Sequence, residues 1–136
     1  MSLWPSPDCQ ERFAVKLVSL TRTAVIGAIV GLSGSVLADD IPAGIKLHER
    51  GYGWILSNEQ GMTLYTYSRD ITPGKSACVQ KCAEQWPPML ASADAIGTGA
   101  WSIIKRPDGK MQWAYHGKPL YASTRDQKPG DTFSDG

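Results

Sequence analysis

The chain has 136 residues, a formal net charge of +1 and 42% hydrophobic residues, which limits it to one ordinary domain once any targeting segment is set aside. Beyond Ala38, seven Lys and four Arg balance eight Asp and three Glu. With no positive excess to neutralise phosphates, nucleic acid is excluded as a partner.

Residues Thr23 to Ala38 form an apolar, small-residue run preceded by Arg12, Lys16 and Arg22, the charged-then-apolar order of a secretory leader. Val36-Leu37-Ala38 ahead of Asp39-Asp40 places small or modest side chains where a signal peptidase reads. Residues 1–38 are therefore expected as a leader cleaved after Ala38, although Met1 to Gln10, with Trp4, Pro5 and Pro7, is an unusual start for one. Sixteen residues with three glycines fall short of the ~20 apolar residues a bilayer-spanning helix requires. Position 39 is Asp, not the cysteine that carries a lipid anchor. No stable membrane anchor is expected after cleavage, and the product is expected in the periplasm or outside the cell.

Residues 39–50 read as an N-terminal linker, and residues 51–136 as one small domain. Tyr52 to Leu56 is a short aromatic and β-branched strand, Ser57 to Gly61 a polar turn, and Met62 to Tyr67 the returning strand. Ser76 is placed to cap a two-turn helix over Val79 to Gln85, which Pro87-Pro88 stops. Ala91 to Ala100, rich in Ala, Ser and Gly, is a loop. Trp101 to Lys105 is a strand, Arg106-Pro107-Asp108-Gly109 a turn, and Met111 to Tyr115 pairs back before a corner at His116-Gly117.

Laid over itself with a shift of 56 residues, the chain repeats. Gly61, Leu64, Tyr65, Arg69, Asp70, Pro73 and Gly74 fall on Gly117, Leu120, Tyr121, Arg125, Asp126, Pro129 and Gly130, seven identities in fourteen positions without a gap. This is an internal duplication, with copies at about 51–90 and 101–136. The expected fold is mainly β with one short helix, two tandem hairpin-based halves packed as a single domain.

Strand alternation sends Tyr65 and Tyr67 to one face, where each ring packs and each hydroxyl needs a partner. Asp70 is placed to accept N–H groups near Thr72 to Gly74 in an Asx-type corner, and Arg69 to reach a carboxylate or carbonyl. The alternative is that Asp70 and Asp126 line a cation or sugar site, although a calcium loop carries a denser run of carboxylates.

Tyr65-Thr66-Tyr67-Ser68-Arg69-Asp70, followed by Cys78 to Pro88 with Trp86, resembles the bacterial "secreted repeat of unknown function" family, whose members carry a Tyr-x-(Phe/Trp/Tyr)-x-x-Asp motif. The second copy keeps Tyr121, Arg125 and Asp126 but has Ser123 where the motif has an aromatic. The resemblance spans about Gly51 to Thr132 and implies no established activity.

Cys78 and Cys82 are separated by three residues, and in an oxidising compartment a disulfide is expected, with Cys78 at or before the helix start so that the Cα atoms come close enough. The rival use is copper, with Cys78, Cys82, Met89 and His116 as ligands. No Gly-x-Ser-x-Gly, His-Glu-x-x-His or phosphate loop occurs. The expectation is an exported non-catalytic binding or envelope-associated module without a cofactor, its partner undetermined. The alternative is a periplasmic copper-binding or electron-transfer accessory protein.

Overall fold

A computed structural model describes residues 12–14, 16–17, 41–51 and 53–135. Tyr52, Cys9, the apolar run of the expected leader and its cleavage point lie outside the described residues. The described elements are β1 (Arg12–Ala14), β2 (Lys16–Leu17), β3 (Ile45–Arg50), β4 (Gly53–Asn58), β5 (Tyr65–Tyr67), α1 (Lys81–Gln85), β6 (Trp101–Lys105), β7 (Met111–Tyr115) and β8 (Lys118–Pro119). They form three antiparallel sheets, ordered β1-β5, β2-β4-β3 and β6-β7-β8.

The linker expected over 39–50 gives way to structure at Ile45, which corrects that boundary. β3 pairs along its whole length with β4, Ile45 opposite Asn58 and Arg50 opposite Gly53. Ile45 and Leu47 alternate with exposed Lys46, a period-two strand signal masked by the four polar residues among the six. With β3 included the copies match: β3-β4 answers β6-β7, and the return strands follow. The second hairpin runs as the sequence indicates, Lys105 opposite Met111 and Trp101 opposite Tyr115.

The return turns differ by one residue. Asn58 and Met62 enclose three residues, the Asn58 amide bonding the Met62 carbonyl at 2.9 Å, and Gly61 takes φ 82° at the position where such loops need a left-handed residue. A Cβ there would lie 2.9 Å from Pro129. Tyr115 and Lys118 enclose two, His116 and Gly117 at φ 48° and 75°, the two left-handed residues of a type I′ turn.

Ile45, Leu56, Leu64, Trp101, Trp113 and Leu120 pack into one core cluster drawn from both copies, and Tyr65, Cys78, Trp86 and Tyr121 form a second. Each large apolar side chain so buried contributes roughly 1.5–3 kcal/mol. Trp101 and Trp113 meet edge to face at 6.4 Å, as do Tyr65 and Trp86 at 5.7 Å. Trp54 is only half-buried.

α1 is shorter than expected. It begins after Gln80 at φ 52° with no side-chain cap, because the Ser76 hydroxyl is engaged elsewhere. After Trp86 the chain runs extended. Pro87 and Met89 bond Ala122 and Leu120 on one side, while Met89 and Ala91 bond Trp113 and Met111 on the other. This segment is thereby wedged between β7 and the strand that carries Tyr121. The stretch 91–100 has neither helix nor strand, as its composition indicates.

Candidate functional site

The repeated tyrosines meet at the junction of the copies. Tyr65 and Tyr121 exchange backbone hydrogen bonds, the Tyr65 amide to the Tyr121 carbonyl at 2.7 Å and the reverse at 2.9 Å. An approximate twofold relation therefore runs between equivalent residues, and the side chains follow it. The Tyr65 hydroxyl donates to Asp126 Oδ2 at 2.7 Å and the Tyr121 hydroxyl to Asp70 Oδ2 at 2.8 Å. Each tyrosine thus bonds the aspartate of the other copy.

The second oxygen of each carboxylate closes its own corner. Asp70 Oδ1 accepts the Ala77 amide at 2.6 Å and Asp126 Oδ1 the Phe133 amide at 3.1 Å. This corrects the Asx corner expected near Thr72 to Gly74: the partner lies seven residues on, across a wider loop. Tyr65 and Tyr121 are fully buried, and Asp70 and Asp126 are exposed by 2% and 5%. Carboxylates so enclosed and engaged in bonds within the protein do not support the cation or sugar reading. Burial, with the Asp126 carboxylate beside it, pushes the Tyr65 hydroxyl well above its ordinary pKa. Tyr121 is likewise raised, first by burial. Asp126 is raised by burial although the Tyr65 hydroxyl and Phe133 amide pull it down. Arg69 and Arg125 lie on the surface, and Tyr67 packs half-buried on the second cluster. Its counterpart Ser123 bonds Ser134 at 2.7 Å.

Cys78 and Cys82 form a disulfide with Cα atoms 5.2 Å apart, Cys78 lying before α1 as expected. Beside it sits a residue whose role the sequence did not announce. Arg106, 3% exposed, donates from Nη1 to Ser76 Oγ at 3.0 Å and Gln112 Oε1 at 2.7 Å, and from Nη2 to the Cys78 carbonyl at 2.8 Å. Ser76 Oγ also meets the Tyr121 hydroxyl at 2.7 Å. Arg106 reads as a turn residue in Arg-Pro-Asp-Gly, and no local pattern distinguishes an arginine that turns inward.

The residues considered for copper do not make a thiolate site in this form, since both sulfurs are bonded to each other. Met89 is half-buried and lines a surface groove, whereas His116 stands exposed at the β7-β8 turn against Tyr115. Among the described residues no group of three or more His, Cys, Asp or Glu side chains is placed to hold an ion. His48 Nε2 lies 2.7 Å from Ser57 Oγ, a pairing not foreseen. Ser57 is fully buried.

The groove holds about 670 Å³ and is lined by Ile41, Glu59, Met89, Leu90, Ile96 and Trp113 among others. Ile41, Leu90 and Ile96 are exposed by 41%, 46% and 79%, so apolar surface gathers at its rim. It joins the approach to β3, the first return turn and the 91–100 loop, three stretches whose meeting no local sequence signal indicates.

A family model described as a secreted repeat of unknown function matches the chain twice, over residues 46–89 and 102–136. No curated protein and no solved structure matches the chain significantly. Among the described residues no helix is long and apolar enough to cross a membrane.

Proposed function

The chain belongs to this family of secreted repeats, and from that premise we propose that it is an exported, non-catalytic module that presents a surface to a partner in the periplasm or outside the cell. The observation that carries this reading is the enclosure of the repeated motif. Tyr65, Tyr121, Asp70 and Asp126 are buried and bonded to one another, so these four recurring residues maintain the fold, and of the repeated charged residues only Arg69 and Arg125 face outward. The groove rimmed by Ile41, Leu90 and Ile96 is the surface we assign to contact, because clustered exposed apolar area of this kind marks interaction sites.

Two experiments test it. Protein recovered from periplasmic fluid or medium should begin at Asp39 and weigh two hydrogens less than its reduced form; cytosolic retention or free thiols would refute export. In cells, a photo-reactive residue at position 96 should give a discrete adduct and one at exposed position 71, outside the groove, none; equal labelling at both would refute the groove. Copper titration tests the competing reading, which gains if either redox state binds more tightly than micromolar.

A further inference from the structure

In both halves the return strand parts from its neighbour after one buried leucine. The Leu64 amide bonds the Leu56 carbonyl at 2.9 Å and the Leu120 amide bonds the Trp113 carbonyl at 3.0 Å, and beyond these bonds a gap opens between two strands. In the second half the gap holds the segment after Trp86. Pro88 stands opposite Tyr121 and Leu90 opposite Gln112. The Ala122 and Trp113 amides donate to Pro87 and Met89, while the Met89 and Ala91 amides donate to Leu120 and Met111.

In the first half the same gap holds β1 and β2. Ala14 stands opposite Tyr65, the counterpart of Tyr121, and Phe13 opposite Thr66, the counterpart of Ala122. Lys16 and Leu17 stand opposite Ile55 and Trp54. Residues 12–14 and 16–17 thus repeat the direction and register of residues 86–88 and 90–91, the first group on one strand of the gap and the second on the other, though the two segments share no sequence pattern. The gap selects an extended main chain, not a particular set of side chains.

We infer that the gap between Trp54–Ile55 and Tyr65–Tyr67 is a strand-acceptor site, held in cis by β1 and β2 in the unprocessed chain and opened when residues 1–38 are removed. It then takes an extended segment of another polypeptide, added antiparallel to Tyr65–Tyr67. The inference rests on the proposed leader cleavage. Removing β1 and β2 exposes main-chain donors and acceptors along two facing edges, the template on which strand addition works. The second half sets the occupant's chemistry. Prolines are accommodated where Pro87 and Pro88 sit, whereas an N–H is required at the positions of Met89 and Ala91. A second copy is not the occupant, because its own segment of this kind is already seated in its second half.

The exported protein titrated with a synthetic peptide spanning Gln10 to Ser19 tests this. Saturable binding is expected, with slowed hydrogen exchange at the Thr66 amide, the counterpart of the Ala122 amide that Pro87 holds. An Ala14→Pro peptide should bind as the parent does, since Pro88 occupies that position in the other half. A Leu17→Pro peptide, lacking the N–H that Ala91 supplies there, should bind about tenfold more weakly or worse. Absence of binding, equal binding of the Leu17→Pro peptide, or loss with Ala14→Pro would overturn the site while leaving export intact. Exported protein that retains residues 12–17 on N-terminal sequencing would overturn both the site and the leader cleavage.

Discussion

The corner after β5 and the corner after Tyr121 share a backbone plan. Lys75 and Asp131 close the same turn onto the carbonyls of Thr72 and Lys128, and Asp70 and Asp126 each accept an amide seven residues on. Their reinforcement differs. The first corner is tied by the Cys78–Cys82 bridge and by Arg106, which reaches across from the second copy. In the second, Ser134 stands at the position equivalent to Cys78 and bonds Ser123. The Asp131 side chain accepts the amides of Gln127 and Lys128, and Thr63 of the first copy donates to the Asp131 carbonyl at 2.6 Å. The duplicated unit therefore specifies the corner through its main chain and one aspartate, and each copy is then secured by whatever side chains its surroundings provide.

The largest expected effect falls on the element the corners have in common. Asp70→Ala and Asp126→Ala each remove two hydrogen bonds to a buried carboxylate and should each cost about 3 kcal/mol in denaturant unfolding. A double-mutant cycle sharpens the point. Tyr65→Phe with Asp126→Asn should show coupling of about 1 kcal/mol, while Tyr65→Phe with Asp70→Asn should be close to additive. Coupling within a copy instead of across copies would contradict the crossed arrangement.

Next in size is the staple peculiar to the first corner. Cys82→Ser should lower stability by about 2 kcal/mol, the chain-entropy value for so short a loop, and reductant should lower the wild-type Tm without affecting the variant. At the equivalent place in the second corner, Ser134→Ala should cost about 1 kcal/mol and leave the response to reductant unchanged. A larger loss at Ser134 than at Cys82 would reverse the assignment of which corner is the more strongly tied.

The smallest effect concerns pH. Burial raises the Asp126 carboxyl in the folded state, so the native protein binds more protons there than the unfolded chain does. That contribution to stability is present below the unfolded pKa and lost as pH rises through the raised folded one. The stability deficit of Asp126→Asn relative to wild type should accordingly grow as pH falls from 7 toward 4, measured by denaturant midpoints. A deficit that shrinks on acidification would show that the carboxylate form is the favoured one.

Several features are legible in the sequence. The second hairpin, the turn at 106–109, the corner at 116–117, the disulfide and the duplication rest on residues close in the chain or on direct self-comparison. β3 reads as linker because only Ile45 and Leu47 mark its alternation against Lys46, His48, Glu49 and Arg50. The corner aspartates read as structural, but their amide partners do not follow from the sequence, since a turn motif extends two to four residues and these bonds span seven. Arg106, Gln112 and the His48–Ser57 contact left no local trace, because each is made by a strand pairing or an inward rotation.

The sequence by itself determined that two equivalent units exist, where most of their strands and turns lie, and which tyrosines and aspartates correspond. Only the tertiary structure decided that the tyrosine of one copy serves the aspartate of the other, and that β1 and β2 pair in the first half where residues 86–91 pair in the second. A shift of 56 residues identifies equivalents, whereas the rotation relating the packed copies identifies neighbours. That rotation brings both buried hydroxyls to carboxylates that would otherwise lack them, a requirement that exists only once both copies have withdrawn these groups from water.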